Sequence, residues 1–309
     1  MQIIYNNCMK DFLLNIKKQT IENNKRTFRP NGFSIDPKVY SQAFENVKLY
    51  PSILGVKAFL NICPHRGATM KLKGDIFQCP YHGWKFNADN GDLIATTGPK
   101  CPYKNLKLKK NHGIHLGGVY FNTIAKSNFI DEIEFLTQSK YFSESEFPIK
   151  ANWKFVVESL LETYHFQFAH ERLLKGFENS FFSYERIEGD NASITIALDS
   201  FKEYFESNDI NGINIMYFIF PRTFLLVLQG GHVWFSIDFE NEKESILKLY
   251  FFGNEMIKTT LESLIIEDVE IIETQQRNLQ HIDRFLFTGH ENLIQKFHDD
   301  LKSISKTNT

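Results

Sequence analysis

Short apolar runs separated by turn residues occupy the chain from about Val47 to Asn122. The runs 56–62, 75–79 and 119–121 contain β-branched and aromatic residues and are bounded by Gly, Pro or Asn, which is typical of short strands. Before them, residues 7–24 predict an amphipathic helix. This part of the chain therefore predicts a helical segment followed by a small all-β domain.

The pattern changes after Pro148. Residues 153–169 have a helical period, and two further amphipathic helices are predicted at 259–279 and 291–301. Between them lie five strand-like runs: 193–197, 216–220, 223–228, 232–239 and 246–252. Strands bracketed by helices predict an antiparallel sheet with a helix across one face, so the fold class is α+β. The predicted boundaries are 1–29 for the helical segment, 30–146 for the β domain and 147–309 for the α+β domain.

Composition and charge limit the classes of partner and the cellular location to expect for this chain. Of the 309 residues, 42% are hydrophobic and 23% are charged, which is ordinary for a globular protein. A net charge of −2 and the absence of an apolar run long enough to span a bilayer predict neither nucleic acid nor a membrane as partner. The first 24 residues lack the apolar stretch of a secretory signal, so we expect a cytoplasmic protein.

The first chemical motif pairs cysteine with histidine twice. Cys63 and His65 have the spacing C-x-H, and Cys79 and His82 have the spacing C-x-x-H. A Rieske-type [2Fe–2S] cluster needs this split, because two thiolates hold one iron and two imidazoles hold the other. Structural zinc also takes Cys and His, but its paired ligands are usually spaced further apart, so the cluster is the favoured reading. His112 and His115 have no partner cysteine and are expected to be surface or packing residues.

The evidence for a metal site is weaker for the second motif when that motif is taken alone. His165 and His170 follow Glu162 in the helical run. Two histidines and a carboxylate form the facial triad that binds Fe(II). On a regular helix, however, side chains five residues apart point about 140° away from each other. The helix must therefore loosen or end between these two histidines if they share one metal.

Asp268 strengthens the case for a metal. In the predicted helix 259–279 it lies in the middle of an apolar stripe, whereas Glu270, Glu273 and Arg277 lie opposite. A buried carboxylate needs a cation or another partner. That partner is either a metal or a buried Arg or Lys. Glu267, at the edge of the stripe, is the weaker candidate ligand.

With both motifs in this order, the sequence resembles the large subunit of the Rieske non-haem iron ring-hydroxylating oxygenases. The resemblance includes Cys63–Gly67, Cys79–Trp84, Asn152–Lys154 and Glu162–His165, and Glu267-Asp268 stands where the third iron ligand is expected. It implies a Rieske domain followed by a helix-grip catalytic domain. The loop between the two cluster motifs is shorter than is usual in the family.

The resemblance also implies the ligands and the mechanism. Cys63, His65, Cys79 and His82 would hold the [2Fe–2S] cluster, and His165, His170 and Asp268 would hold mononuclear Fe(II). Glu162 would be the catalytic carboxylate that carries electrons from His82 of a neighbouring subunit to His165 in a head-to-tail homotrimer. Many relatives have Asp at that position. A Glu at this position resembles the oxygenases that act on quaternary ammonium compounds such as carnitine, betaine and choline.

The function implied is a mono- or dioxygenase that uses O2 to hydroxylate or dealkylate a small organic substrate. The sequence contains no dinucleotide fingerprint, so a separate NAD(P)H-dependent reductase, with or without a ferredoxin, is expected as the electron donor. The sequence does not identify the substrate, and the two classes to expect are a quaternary ammonium compound and a flat aromatic molecule. An electron-transfer protein and a non-catalytic ligand-binding protein are the alternatives. Candidate pocket residues are Phe166, Phe168, Tyr204, Tyr217, Phe218, Phe224 and Trp234.

Overall fold

A computed structural model describes residues 32–41, 50–97, 103, 105–110, 112–124, 127–170, 181–198, 214–228 and 230–306. The chain separates into two compact units, one formed by residues 52–125 and the other by 1–51 together with 126–309. The helix predicted for 7–24 lies outside the described residues. Among the described residues, no helix is both long enough and apolar enough to cross a membrane.

Two small antiparallel sheets build the unit 52–125. One has the order β2–β8–β7 and the other the order β3–β4–β5–β6. The strands are β2 (Ile53–Gly55), β3 (Lys71–Lys73), β4 (Ile76–Gln78), β5 (Lys85–Asn87), β6 (Leu93–Ala95), β7 (Ile114–Leu116) and β8 (Val119–Phe121). The strand predicted for 56–62 is wrong, because β2 ends at Gly55 and only isolated bridges at Phe59 and Ile62 follow.

The core of this unit lies beside the two candidate cluster cysteines. Phe77 and Phe86 lie opposite each other on β4 and β5 and are both buried. Cys63 and Cys79 belong to the same buried cluster of side chains. The candidate cysteines are therefore fixed by the packing of the unit itself.

A seven-stranded antiparallel sheet dominates the larger unit, in the order β10–β11–β12–β13–β14–β15–β9. Its strands are β9 (Tyr141–Ile149), β10 (Phe181–Glu188), β11 (Asn191–Leu198), β12 (Asn214–Ile219), β13 (Thr223–Leu228), β14 (Gly231–Asn241) and β15 (Glu244–Gly253). Burial alternates along β15, as expected for a strand with one face on the core. The predicted α+β class with an antiparallel sheet is confirmed.

The helices of this unit are α1 (Asn128–Leu136), α2 (Trp153–Leu160), α3 (Phe166–Ala169), α4 (Met256–Asn278) and α5 (Asn292–Lys306). A 3-10 helix covers Pro37–Ser41 and another covers Leu279–His281. Helix α2 begins at the N-cap Asn152, whose side chain accepts a hydrogen bond from the Lys154 amide. It contacts α4 and strands β14 and β15. The residues of the second candidate metal site follow directly from its end.

The unit boundaries differ from the predicted 30–146 and 147–309. Strand β1 (Phe33–Ile35) pairs with β16 (Phe285–Phe287), and β9 pairs with β15, so both segments belong to the larger unit. Strand pairing across long sequence separations causes this shift. Local patterns do not reveal such pairing.

Candidate metal centres

The candidate cluster residues lie on two loops that contain the same hydrogen-bonded turn. In each loop the Cys carbonyl accepts a hydrogen bond from the amide of a Gly four residues later, at 2.8 Å for Gly67 and 2.9 Å for Gly83. Both glycines have a positive φ, 75° and 70°, which a residue with a Cβ rarely adopts. The repeated turn places one cysteine and one histidine on each loop.

The two thiols face each other. Cys63 and Cys79 are buried thiols that form no disulfide, and each affects the pKa of the other. Burial raises the pKa of the Cys63 thiol. Burial also opposes ionisation of Cys79, but hydrogen bonds from the backbone amides of His82 and Tyr81 outweigh it and lower the pKa of that thiol. Two adjacent sulfurs that accept amide hydrogen bonds are suited to one shared metal.

Aromatic contacts orient the two imidazoles. The rings of His65 and His82 have centroids 4.6 Å apart. His65 stacks on Trp84 at 4.7 Å with an angle of 3° between the planes, and His82 packs against Tyr81 at 3.8 Å. Nδ1 of His82 is buried and has no hydrogen-bond partner among the described residues. Because a buried nitrogen without a partner is costly, these residues fit a cluster that uses it as a ligand.

The second candidate metal site starts where helix α2 breaks. The carboxylate of Glu162 accepts hydrogen bonds from the backbone amides of Tyr164 and His165, the latter at 3.1 Å. These bonds replace helical ones and so compete with continuation of the helix. The single helix predicted for 153–169 is therefore wrong. His165 and His170 flank the short helix α3 instead of sharing one regular helix.

The break brings both histidines to Asp268. Its Oδ1 lies 3.5 Å from His165 Nε2 and 3.3 Å from His170 Nε2. One ligand atom from each of the three residues lies within 4.8 Å of the other two. Asp268 is buried on α4 together with Ile265 and Ile272, as the apolar stripe predicts. Among the described residues its close partners are these histidines, not a buried Arg or Lys.

Each histidine also contacts a carboxylate other than Asp268, through its Nδ1 atom. Glu162 Oε1 contacts Nδ1 of His165, and Glu267 Oε2 lies 2.8 Å from Nδ1 of His170. Both imidazoles are thereby oriented with Nε2 toward Asp268, as metal-bound histidines commonly are. The sequence placed Glu267 only as a weaker candidate ligand. Its role as a hydrogen-bond partner of His170 was missed, because it depends on contact across 97 residues.

The electrostatics of the site favour a cation. Burial opposes a charge on His165, but the carboxylates of Asp268 and Glu162 outweigh burial and raise the pKa of this histidine to about 9. Its Nε2 is buried without a hydrogen-bond partner among the described residues. When His165 gives up its proton, two neutral imidazoles and a carboxylate surround one point. This is the donor set of mononuclear Fe(II), so the residues present fit that metal.

A largely apolar cavity of about 510 Å³ reaches this site. His170, Asp268 and Glu162 lie in its wall, and Phe166 and Phe235 are its described aromatic residues. Its apolar lining residues also include Leu160, Ile194, Met216, Leu226, Leu228, Ile257, Leu261, Leu264 and Ile265. Its size and lining are typical of a small-molecule site.

The predicted pocket residues are mostly wrong. Phe166 lines the cavity, whereas Phe168 is 78% exposed. Tyr217, Phe218, Phe224 and Trp234 are buried but do not line it. Tyr204 lies outside the described residues. The predicted pocket residues are all aromatic, but the described walls are mainly aliphatic.

A buried polar network supports the helix that precedes the site. Glu158 accepts hydrogen bonds from the Tyr40 hydroxyl at 2.9 Å and interacts with His298 Nε2 at 2.6 Å. These contacts join α2 to the 3-10 helix at Pro37–Ser41 and to α5. The sequence signal for this network was weak, since a lone Tyr, Glu and His on three segments share no local pattern.

Two family models match the chain in the order of its two candidate sites. The Rieske [2Fe-2S] domain matches residues 39–113, and the ring hydroxylating alpha subunit (catalytic domain) matches residues 136–237. The chain carries a Rieske domain and a ring-hydroxylating catalytic domain. The resemblance read from the motifs is thereby confirmed, and the two domains imply a [2Fe–2S] cluster and a mononuclear non-haem iron.

Curated proteins with similar sequences are named as oxygenase subunits of monooxygenases. A glycine betaine monooxygenase oxygenase subunit from Pseudomonas aeruginosa is 31% identical over 39% of this chain and 32% of that protein. The chain therefore spans about a third of that relative's length. A carnitine monooxygenase oxygenase subunit from Acinetobacter pittii is 24% identical over 82% of this chain and 76% of that protein.

Solved structures show the same fold at low sequence identity. The quaternary ammonium Rieske monooxygenase CntA, in complex with an inhibitor, has a TM-score of 0.60 at 15% identity, covering 88% of this chain and 95% of that chain. A naphthalene 1,2-dioxygenase mutant bound to phenanthrene has a TM-score of 0.53 at 15% identity, covering 89% and 93%. At these identities the likeness concerns the Rieske and catalytic folds alone.

Proposed function

We propose that this protein is the oxygenase component of a system that uses O2 to hydroxylate or dealkylate a small organic substrate. The observation that carries the proposal is the convergence of His165, His170 and Asp268, of which His170 and Asp268 line an apolar cavity of about 510 Å³. A protein that only transfers electrons needs neither this ligand set nor this cavity. A separate NAD(P)H-dependent reductase, directly or through a ferredoxin, supplies the electrons.

The [2Fe–2S] cluster supplies one-electron transfer and the mononuclear iron supplies oxygen activation when they are bound. In this proposal Cys63, His65, Cys79 and His82 hold the first group, and His165, His170 and Asp268 hold the second. Glu162 and Glu267 fix the tautomers of His165 and His170 by accepting from their Nδ1 atoms. The apolar walls bind the substrate and exclude water from it.

Glu162 is proposed to connect the two centres across a subunit boundary. One of its oxygens contacts His165 Nδ1, and the other accepts from backbone amides. A carboxylate has about four acceptor positions, so it retains capacity for a hydrogen bond from His82 of a second copy. We therefore propose a homotrimer in which each Rieske domain serves a neighbouring catalytic domain. A cytoplasmic location is part of the same proposal.

For the substrate, we propose a small molecule with an apolar body, with quaternary ammonium compounds as the first class to examine. Relatives named for glycine betaine and carnitine motivate this choice. The carboxylate of Glu162 at the cavity supplies negative charge, and Phe166 offers an aromatic face to a cation. An aromatic substrate is the second class, because the aliphatic walls suit a flat ring equally well.

A single-turnover experiment tests the proposed activity. The iron-loaded protein is reduced without oxygen and then mixed with O2, with or without glycine betaine, carnitine, choline or a monocyclic aromatic compound. We expect oxidised product, together with return of the oxidised cluster spectrum, only when a substrate is present. Reoxidation that is equally fast in Asp268→Ala and yields no product would instead identify an electron-transfer protein.

A further inference from the structure

The cavity beside the second candidate metal site is long in one direction. Its wall along α4 is formed by Ile257, Thr260, Leu261, Leu264, Ile265 and Asp268. These positions recur every three or four residues and therefore lie on one face of the helix. At about 1.5 Å of rise per residue, Ile257 and Asp268 are roughly 16 Å apart along the helix axis. The cavity therefore extends about three helical turns away from the metal site.

The opposite wall is formed by successive positions on one face of the large sheet. Met216 and Leu226 pair with each other across β12 and β13. Asn214 and Leu228 lie two residues beyond them on the same face, and Phe235 lies one such step away in the other direction. Two steps of two residues cover roughly 13 Å along a strand, so the sheet wall is nearly as long as the helix wall.

The helix wall and the sheet wall share an outer end. Gly231 pairs with Leu228 on the neighbouring strand. A Cβ atom added at Gly231 would lie 3.0 Å from Cδ1 of Ile257, so the first turn of α4 packs against this end of the sheet. Leu228 and Ile257 therefore lie together at one end of the cavity, and Asp268 lies at the other.

Exposure rises toward the outer end. Asn254 and Met256 line the cavity there, and both are exposed, Met256 to 75%. Ile265 and Asp268, which line the inner end, are buried. We call the end at Asn254 and Met256 the mouth. The described residues therefore place the candidate metal site at the inner end of the cavity, opposite the mouth.

The chemistry of the walls changes in the same direction. Among the described lining residues, the carboxylates are those of Glu162 and Asp268, both at the inner end, and none is Lys or Arg. The mouth has the side-chain amides of Asn214 and Asn254 instead. Asn254 Oδ1 accepts a hydrogen bond from the Met256 amide at 2.9 Å, which leaves the nitrogen of that side chain as a donor. An uncharged polar group can exchange hydrogen bonds with these amides, whereas a charged group would find no counter-charge there.

We propose that the substrate is an elongated aliphatic molecule whose uncharged polar head lies at the mouth and whose far end is oxidised. This inference rests on the proposed function and narrows its substrate class. A zigzag of carbon–carbon bonds advances about 1.25 Å per carbon, so a chain of about ten to twelve carbons spans the cavity. One oxygen atom of O2 enters a C–H bond near the end of the chain, and the other leaves as water. The reductase supplies the two electrons and solvent supplies the two protons.

Binding of linear alkanamides tests the length of the cavity without turnover. Hexanamide, octanamide and decanamide are titrated calorimetrically into the iron-loaded protein in the absence of O2. Each methylene buried against apolar walls should tighten binding about fourfold, so affinity should rise about 15-fold for every two carbons. An affinity that does not rise with chain length would overturn the proposal.

A bulky residue inside the cavity should shorten the chain that it accepts. Leu264 lies roughly 6 Å before Asp268 along α4. Leu264→Trp should abolish the gain from octanamide to decanamide and change hexanamide affinity by less than about twofold. The matched control is Ile266→Trp on the same helix, because Ile266 is 53% exposed and does not line the cavity. An unchanged gain in Leu264→Trp, or an equal loss in Ile266→Trp, would contradict the proposal. If Leu264→Trp no longer binds hexanamide, the smaller change Leu264→Phe must show the same loss of gain.

The position of the head has its own test. Asn214→Leu should weaken all three amides by the same factor, about three- to tenfold, because one hydrogen bond is lost at every chain length. In a single turnover, decanamide should be oxidised near the end of its chain, and oxidation beside the amide would overturn the proposal. If no amide is oxidised but the binding series holds, the proposed oxygenase activity fails and the cavity assignment stands. Turnover of glycine betaine without any chain-length dependence would overturn this inference alone.

Discussion

The two candidate metal centres are built in opposite ways. The cluster residues lie within twenty positions of one another, on two loops that repeat the same Cys-to-Gly turn. The residues of the other candidate centre come from the broken end of α2 and from α4, and His170 contacts Glu267 across 97 residues. The first centre therefore depends on local backbone geometry, whereas the second depends on the packing of the whole larger unit.

This difference predicts that the two centres fail independently. His82→Ala should abolish the visible absorption of the Rieske cluster and all turnover, because it removes one of the proposed ligands of the second iron. The fold of the larger unit should persist, since its core shares no residue with the cluster loops. The measurements are the absorption spectrum and the secondary-structure content. A normal cluster spectrum in this variant would show that the ligand assignment is wrong.

Asp268→Ala should produce the converse result. Mononuclear iron should be lost and turnover should fall by roughly 100-fold or more. The loss of a residue that only hydrogen-bonds to a metal ligand already lowers metal affinity or activity by about 10- to 100-fold, and Asp268 is proposed as a ligand itself. The cluster spectrum should be unchanged. Metal analysis checks this outcome, with Asp238→Ala as a control that removes a carboxylate paired with Arg222 elsewhere in the unit. Full iron occupancy in Asp268→Ala would transfer the ligand role to Glu267.

Glu162→Gln should separate assembly from electron transfer. The side chain keeps its size but loses its charge and half of its acceptor capacity. We expect both metals and the trimer to be retained while most turnover is lost. Rapid-mixing spectroscopy should show a cluster that is reduced normally but fails to discharge when substrate and O2 are added. Wild-type turnover, or a fully active monomer, would contradict the bridge.

Glu267→Gln should have the smallest effect. The amide oxygen can still accept from His170 Nδ1, but the negative charge that strengthens the imidazole as a ligand is lost. We expect iron affinity to weaken by about tenfold, with the cluster unaffected. Equilibrium titration of the apo site with Fe(II) measures this change. A loss as large as that of Asp268→Ala would mean that Glu267 is itself a ligand.

The contrast also explains what the sequence could predict. The spacing of Cys63, His65, Cys79 and His82 identifies a cluster motif because both halves are local. The burial of Asp268 was predicted from helical periodicity and is confirmed. The break between Leu160 and Phe166 was not placed correctly, because it depends on a side-chain carboxylate that captures two backbone amides.

The cavity was predicted least well for the same reason. Tyr217 and Trp234 were predicted to line the pocket, but they are buried and neither lines the cavity. The residues that do line it, such as Leu226 and Phe235, are defined by the register of β13 and β14. Register across a sheet depends on tertiary pairing and is invisible in one sequence.

The most direct test of two separate iron centres is a count of iron and inorganic sulfide in three proteins. We predict three irons and two sulfides per wild-type chain, two irons and two sulfides in Asp268→Ala, and one iron without sulfide in His82→Ala. Zinc in place of iron, or the loss of both centres in either variant, would contradict the account.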